Sequence, residues 1–278
     1  MKNWLVWLRL GRISNLPTVW SNVLAGTLLA GAQPDVNTGL VLLAASLLYE
    51  GGMWLNDAFD SAIDARERPQ RPIPSGEIAV RSVFAVGFGL LGAGVALLSA
   101  SGRPATVSAL LLALAIIGYN LHHKGVVWSP WLMGLCRALV YVTAGLAASV
   151  EPEPRLIWAA VALLAYVAGL SYAAKQENLD QFRAGWPLAL LSAPLLYGAA
   201  HIGWAALPYL VLLGAWLAHC LLLLYRRHEI RRAVEGFIAG IALVDALFIA
   251  GSGAPLLALA AVAAFVLCLL WQRRVAGT

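Results

Sequence analysis

The sequence predicts an all-α protein, a polytopic bundle of transmembrane helices. Three observations support this class: the composition, the lengths of the apolar segments and the placement of the basic residues. Hydrophobic residues fill 61% of the 278 positions and charged residues only 12%, and the mean hydropathy is +0.77. A soluble protein of this length needs far more charge to cover its surface. The composition therefore disfavours a soluble globular class.

Ten apolar segments account for the helices of this bundle. A transmembrane helix needs about 20 mostly apolar residues to cross the hydrocarbon core, and each segment approaches or reaches that length. The segments are 14–30, 38–55, 80–101, 104–119, 131–150, 156–174, 187–202, 205–224, 234–250 and 255–271. We expect about nine or ten spans. Because the connections are too short for a further soluble domain, residues 1–278 are predicted to form a single membrane-embedded domain.

The basic residues predict which loops face the cytoplasm, since Lys and Arg concentrate in the cytoplasmic loops of membrane proteins. Of the 19 Lys and Arg residues, 16 lie near the termini or in even-numbered loops. Only Arg103 and Arg155 lie in odd-numbered loops, and Arg137 lies within a segment. We therefore expect a multi-pass protein of a bacterial inner (cytoplasmic) membrane, with both termini and the even-numbered loops cytoplasmic. The net charge of +5 fits this bias and contact with anionic lipids, and it does not indicate nucleic-acid binding.

An acidic cluster follows the second segment, in the stretch NDAFDSAIDARERPQRPIPSG that begins at Asn56. If the second helix continues into this stretch, a rotation of about 100° per residue places Asp57, Asp60 and Asp64 within an arc of about 60°. Three carboxylates on one face repel one another unless a cation lies among them. Hard oxygen ligands of this kind suit Mg²⁺, which often bridges to substrate phosphates.

Basic residues follow the acidic cluster directly. Arg66, Arg68 and Arg71 carry guanidinium groups, which match phosphate oxygens in geometry and charge. Acidic and arginine clusters together at a membrane surface predict a binding site for a metal-bound diphosphate. The alternative is a solvated loop that only sets topology, and it leaves the phased Asp residues unexplained because topology depends on the Arg residues.

The acidic stretch resembles a known motif. Asn-Asp-x-x-Asp-x-x-x-Asp from Asn56 to Asp64, followed by Arg-Pro-Ile-Pro-Ser-Gly from Arg71, is similar to the first aspartate-rich motif of the UbiA superfamily of intramembrane prenyltransferases. Three further places resemble the family in the same order: Arg12 ahead of Asn15–Trp20, Tyr119-Asn120 with Lys124, and Gly134 with Arg137.

The resemblance implies a fold with a central cavity and a reaction within it. An isoprenoid diphosphate binds through Mg²⁺, its C–O bond ionises, and the allylic cation alkylates a lipophilic or aromatic acceptor. The implied catalytic residues are Asn56, Asp57, Asp60 and Asp64, and the three Asp residues among them are the implied metal ligands. The implied substrate-binding residues are Arg12, Arg68, Arg71, Lys124 and Arg137. The chemistry is sound on its own terms: a diphosphate leaves with about three negative charges, which metal and basic residues neutralise, while the cavity keeps water from the cation.

The chain departs from the family after the sixth segment, where a second acidic motif is usual. Lys175 lies there, 118 residues after Asp57, and Glu177 and Asp180 follow it. Glu177 and Asp180 are predicted to hold at most one further cation. Lys175 either contacts the diphosphate as a point charge or only sets topology. In this departure the chain resembles the EboC-like branch of the superfamily.

The sequence leaves two questions open: whether the protein is catalytic, and what the acidic residues within the apolar segments contact. On the first question, the alternative is a non-catalytic relative that binds a prenyl diphosphate or lipid and assists a transporter or partner enzyme. The second question concerns the acids within the segments, because a charge in hydrocarbon is costly enough to indicate a partner or a functional role. Glu50 pairs with Arg137 or serves the site, and Asp245 has no assigned role.

Overall fold

The computed structural model describes residues 6–7, 10–122, 126–149, 151–175, 185–201 and 203–274, and across these ranges it is helical without strands. Ten α-helices follow in order: α1 (Leu16–Leu29), α2 (Val36–Glu67), α3 (Val80–Leu98), α4 (Arg103–His122), α5 (Ser129–Ala148), α6 (Pro154–Lys175), α7 (Ala193–His201), α8 (Leu207–Tyr225), α9 (Ile230–Gly251) and α10 (Ala258–Gln272). Each predicted segment overlaps one of these helices. The predicted fold class, a polytopic all-α bundle, is confirmed.

Helix length separates the ten helices into two groups. Within the described ranges, seven helical stretches are long and apolar enough to cross a membrane; they contain α2 to α6, α8 and α9. The other three are shorter: α1 has 14 residues, α7 has 9 and α10 has 15. The predicted segment 187–202 is divided into the 3₁₀ helix Trp186–Ser192 and α7. Pro194, the second residue of α7, lacks the N–H that would continue the preceding turn, so a new helix begins there.

Helix α9 forms the centre of the bundle. Of its most apolar 18-residue window, 89% is buried inside the protein, and α9 packs against α1, α6, α8 and α10. A helix that is apolar on all sides is expected in such a position. One buried residue breaks the apolar pattern, because the side chain of Asp245 on α9 is fully buried.

Close packing of α2 on α3 fixes the helix that carries the acidic cluster. A Cβ atom on Gly51 would lie 2.8 Å from the backbone oxygen of Gly87, and one on Gly87 would lie 2.8 Å from the side chain of Leu55. Small residues at such positions let two membrane helices approach closely and gain packing energy. The acidic end of α2 is therefore held by the packing of its own middle turns.

At the end of the bundle opposite the acidic cluster, local hydrogen bonds cap the ends of two helices. Arg155 donates a hydrogen bond from Nε to the Leu29 carbonyl at 3.2 Å, where a cation suits the C-terminal end of α1. Asp35 caps the start of α2 by accepting the Thr38 N–H at 2.9 Å, and this hydrogen bond lowers the pKa of Asp35 below its usual value. One of the two basic residues in the odd-numbered loops therefore has a local structural partner.

Candidate active site in the membrane bundle

The acidic cluster lies on the last three turns of α2. The last residue of the helix is Glu67, and Arg68 is its C-cap. The helix stops there because Pro69 disfavours helical geometry in the residue before it. The predicted continuation of the second helix is thereby confirmed, and it extends 12 residues beyond residue 55, the end of the predicted span. The side chains of Asp57, Asp60 and Asp64 are all buried, which places three carboxylates on the inward face of one helix.

Arg71 reaches back to the acidic face from the loop after α2. Its Nη1 donates to Asp64 Oδ2 at 2.7 Å and to Asp57 Oδ1 at 3.2 Å. Hydrogen bonds from the Arg71 N–H to the Arg68 carbonyl and from the Ser75 N–H to the Arg71 carbonyl fold this loop into consecutive turns. The loop thus holds one guanidinium between two carboxylates that would otherwise repel each other.

Arg12 approaches the same face from the segment before α1. Its Nη2 lies 3.6 Å from Asp57 Oδ1. The backbone of Arg12 is left-handed, with φ 44° and ψ 47°, which is uncommon for a residue with a side chain and costs free energy. Two features hold the turn: Tyr49 Oη donates to the Arg12 carbonyl at 3.3 Å, and Leu10 is buried in an apolar cluster that includes Ala58 of α2.

An amide pair joins α2 to α4 beside the acidic face. Asn56 Nδ2 donates to Asn120 Oδ1 at 3.1 Å, and Asn120 Nδ2 donates to the Gly52 carbonyl at 3.0 Å. Both Asn56 and Asn120 border the cavity described below. The predicted catalytic Asn56 thus lies where the two helices meet, with its amide group oriented by Asn120.

A cavity of about 620 Å³ lies between α1, α2, α4, α5, α6 and α9, a size that is typical of ligand sites. Its charged lining residues are Arg12, Asp60, Asp64, Glu67, Arg68, Arg71, Arg137 and Lys175. All but Arg137 lie in the last turns of α2 or α6, in the loop after α2 or just before α1, so they form one mouth. Apolar side chains such as Leu48, Leu112 and Ile116 line the wall.

Asp57 differs from its two neighbours in position. The cavity lining includes Asp60 and Asp64 but not Asp57, because Arg12 and Arg71 cover the Asp57 carboxylate. Asp57 is therefore placed to hold the two arginines in the mouth, whereas Asp60 and Asp64 face the space in which a ligand would lie.

Arg137 lies deeper in the cavity. Its guanidinium donates from Nη1 to Asn22 Oδ1 at 2.9 Å and from Nη2 to Thr18 Oγ1 at 3.0 Å, and its Cζ stands 5.7 Å from the centre of the Tyr49 ring. Tyr49 precedes Asp57 by eight residues, which is about 12 Å along a helix axis. The suggested pairing of Arg137 with Glu50 is wrong, since Glu50 lies against Gly11 instead.

Lys175 ends α6 at the same mouth. It lines the cavity, and its exposed Nζ donates to the Val126 carbonyl at 2.6 Å. The ends of α2 and α6 therefore border one opening, as expected for two even-numbered loops on the same side of the membrane. The predicted site residues Lys124, Glu177 and Asp180 lie outside the described residues.

The carboxylates of the mouth suit a Mg²⁺ ion that is shared with a substrate. Among the described residues, no three Asp, Glu, His or Cys side chains come together to enclose an ion, and Arg71 already neutralises Asp57 and Asp64. Mg²⁺ commonly uses one or two carboxylates and completes its shell with water and substrate phosphates. Asp60 and Asp64, which face the cavity one turn apart, fit such a shared ion. They do not form an all-protein cage.

The hydrogen-bond network around Asp245 was not predicted from the sequence. Ser21, Asn22 and Tyr141 surround Asp245 with hydrogen bonds, and Asn22 also binds Arg137. Its signal was present in segment 14–30, where polar residues recur at the spacing of one helix face. Such a polar stripe in an apolar helix indicates a buried polar partner.

Comparisons with known proteins identify the family. The model of the UbiA prenyltransferase family matches residues 16–277. A digeranylgeranylglyceryl phosphate synthase of Methanopyrus kandleri is 31% identical over 197 residues, which cover 69% of this chain and 69% of that protein. A synthase of the same name from Methanothrix thermoacetophila is 32% identical over 167 residues, covering 59% and 61% of the two chains.

Solved structures share the fold. One, from work on digeranylgeranylglyceryl phosphate synthase in membranes, has a TM-score of 0.66 and 20% identity, and the match covers 91% of this chain and 99% of that one. Another, the apo structure of a UbiA homologue from Aeropyrum pernix K1, has a TM-score of 0.71 and 17% identity, covering 86% and 96%. The chain is therefore a membrane protein that belongs to the UbiA prenyltransferase family, and its expected class, a prenyltransferase, is confirmed.

Proposed function

We propose that the protein transfers an isoprenoid group from a prenyl diphosphate to a lipophilic acceptor within the membrane, at a site where the carboxylates of α2 would hold Mg²⁺. One observation carries the proposal. Three carboxylates, Asp60, Asp64 and Glu67, and four basic side chains line one mouth above a mainly apolar wall. A prenyl diphosphate has a polyanionic head, which suits the charged mouth, and an apolar chain, which suits the wall.

The basic side chains at the mouth bind and neutralise the diphosphate. Arg71 is paired with Asp64 and Asp57, so it can exchange a carboxylate for phosphate oxygens when the substrate arrives. Arg12, Arg68 and Lys175 border the same opening. When bound, Mg²⁺ adds positive charge at the diphosphate and so favours its departure.

The chemical step breaks the allylic C–O bond, and its electron pair leaves with the diphosphate. A nucleophilic atom of the acceptor then forms the new bond to the allylic carbon and loses its proton. The apolar wall, which includes Leu112 and Ile116, keeps water from the cation. The rings of Tyr49 and Tyr119 also border the cavity and offer π faces to a positive charge.

The names of the relatives suggest the substrates. They describe synthases of a glyceryl phosphate that bears geranylgeranyl groups. We therefore infer that the donor is a long-chain prenyl diphosphate and that the acceptor is an amphipathic lipid with a polar head. Arg137, the deeper cation of the cavity, is assigned to substrate binding. An aromatic acceptor is the second candidate, and a non-catalytic role gains no support because the relatives are named as synthases.

The proposed location is the cytoplasmic membrane, with the cavity mouth facing the cytoplasm. Its support is the concentration of basic residues at the loops around that mouth. A bacterial source stays a prediction, since the relatives that match are archaeal.

The proposed function is tested with purified protein in lipid nanodiscs. Geranylgeranyl diphosphate and Mg²⁺ are supplied with either a geranylgeranylglyceryl phosphate or 4-hydroxybenzoate, and product mass and diphosphate release are followed. We expect acceptor-dependent diphosphate release and a prenylated product with the glyceryl phosphate, and loss of both after chelation by EDTA. Absence of product with both acceptors would contradict the proposed transfer. A product from 4-hydroxybenzoate alone would contradict the acceptor class.

A further inference from the structure

A buried polar network joins the deep cation of the cavity to the central helix α9. Arg137 on α5 donates to the Asn22 side-chain oxygen at 2.9 Å. The Asn22 nitrogen donates in turn to both carboxylate oxygens of Asp245 on α9, each at 2.9 Å. One amide therefore links a guanidinium to a carboxylate, and its orientation is fixed because its oxygen accepts from one and its nitrogen donates to the other.

The Asp245 carboxylate is saturated with donors. Ser21 Oγ donates to Oδ2 and Tyr141 Oη donates to Oδ1, both at 2.5 Å, in addition to the two bonds from Asn22. The side chain is fully buried, and it does not border the cavity, whereas Arg137 does. Asp245 can therefore affect a bound ligand only through the groups that it holds.

Packing alone does not explain this arrangement. The remainder of the buried face of α9 is apolar, and an apolar residue at position 245 would avoid the large cost of burying a charge in a membrane bundle. The carboxylate supplies a countercharge to Arg137 and a rigid support for Asn22. Two guanidinium nitrogens thereby donate to α1, through Asn22 and Thr18, and the guanidinium carbon lies over the Tyr49 ring.

We propose that Asp245 is a positioning residue: through Asn22 it holds the Arg137 guanidinium in the orientation that binds substrate in the deep part of the cavity. This inference rests on the proposed function, which assigns Arg137 to substrate binding. The inference means that substrate binding also depends on a residue of α9, a helix that lies outside the aspartate-rich motif.

A double-mutant cycle on kcat/KM for the acceptor tests the inference. The proteins compared are the wild type, Asp245→Asn, Arg137→Gln and the double variant. We expect Asp245→Asn to lower kcat/KM about tenfold in the wild-type background and less than about twofold in the Arg137→Gln background, as for residues that act through one another. Equal losses in both backgrounds would overturn the inference, and so would an Arg137→Gln variant with wild-type kcat/KM.

An exchange variant and a matched control separate positioning from folding. In Asn22→Asp with Asp245→Asn, the amide and the carboxylate change places, so the charge is kept and Arg137 retains an acceptor. We expect this variant to recover most of the kcat/KM lost in Asp245→Asn. Tyr141→Phe removes a bond to Asp245, and Tyr166→Phe removes an equally buried bond to the Phe237 carbonyl. Only Tyr141→Phe should lower kcat/KM, although both lower thermal stability. Equal effects on kcat/KM would overturn the inference.

The outcome is distinguishable from failure of the proposed function. If the wild-type protein transfers no prenyl group, the proposed function is contradicted. The same cycle is then measured on the binding of the acceptor lipid, geranylgeranylglyceryl phosphate. A loss of affinity in Asp245→Asn that vanishes in the Arg137→Gln background supports the inference, and independent losses overturn it.

Discussion

The bundle contains two acid–arginine groups, one at the mouth of the cavity and one deeper in the protein, and they are built differently. At the mouth, Arg71 touches Asp64 and Asp57 directly, and the arginine belongs to a loop. In the deep network, the Asn22 amide separates Arg137 from Asp245, and the three residues belong to helices. The mouth faces the cavity through Asp60 and Asp64, whereas Asp245 is enclosed.

The difference indicates two tasks. Charges at the mouth can exchange partners at modest cost, because Arg71 and Arg12 are part-exposed and phosphate oxygens can replace the carboxylates. The deep charges have no such freedom, since breaking a buried pair leaves an uncompensated charge. The mouth is therefore suited to binding and releasing a diphosphate, and the deep network to holding one side chain in place.

The largest effect is expected at the mouth, from Asp60→Asn. This change keeps the side-chain volume but removes a cavity-facing charge, so kcat should fall by about a hundred- to thousandfold, as when one electrostatic group is lost from an active site. Product formation is measured at saturating Mg²⁺. Asp35→Asn, at the other end of α2, is the matched control, because Asn also caps helices well. Equal activity of the two variants would refute the role of Asp60.

Arg71→Gln should have the next largest effect. It removes the guanidinium that bridges Asp64 and Asp57 and that is assigned to the diphosphate, so KM for the prenyl diphosphate should rise about 10- to 100-fold. Initial rates at varied donor concentration measure it. Arg81→Gln, an exposed arginine at the start of α3, serves as the control. An unchanged donor KM in Arg71→Gln would mean that this arginine is only structural.

Arg137→Lys tests the deep network by a smaller change. Lysine keeps the charge but lacks the planar fork that reaches Asn22 and Thr18 together. We expect kcat/KM for the acceptor to fall about tenfold, equivalent to about 1.4 kcal/mol, with little change in donor KM. Arg155→Lys, which alters a cap of α1 outside the cavity, should leave both constants unchanged. A loss confined to donor KM would place Arg137 in the diphosphate site instead.

Lys175 should contribute least, because it is exposed and its ammonium already donates to the Val126 carbonyl. Lys175→Ala should raise KM for the prenyl diphosphate about threefold, as expected for a partly screened charge, while Lys175→Arg is partly tolerated. No change in either variant would show that Lys175 only sets topology. Higher activity in Lys175→Asp would indicate that a second metal site had been restored.

The mouth could be predicted from the sequence because its information is local. The spacing of Asp57, Asp60 and Asp64 places them on one helix face by periodicity alone, and α2 continues through that stretch. The partner of Arg71 is less predictable, because it depends on the turns that fold the loop back from Arg68 to Ser75. The roles of Lys124, Glu177 and Asp180 stay predictions.

The deep network could not be predicted in the same way. Asn22 and Asp245 are separated by 223 residues, and no periodicity joins residues on two distant helices. The sequence did indicate that Arg137 and Asp245 need partners, because both are charges within apolar segments. It did not indicate which polar residues meet them, and Glu50 was a wrong candidate. Long-range pairs of this kind depend on how α1, α5 and α9 pack, which only the fold determines.

The central claim is that the acidic face of α2 binds the diphosphate together with Mg²⁺. The most direct measurement is calorimetric titration of the non-reactive geranylgeranyl thiodiphosphate into wild-type protein and into Asp60→Asn, with Mg²⁺ or with EDTA. The account predicts that Mg²⁺ strengthens binding to the wild type by about a hundredfold and that Asp60→Asn loses most of this gain. Equal affinity with Mg²⁺ and with EDTA in the wild type, or an undiminished Mg²⁺ effect in Asp60→Asn, would contradict it.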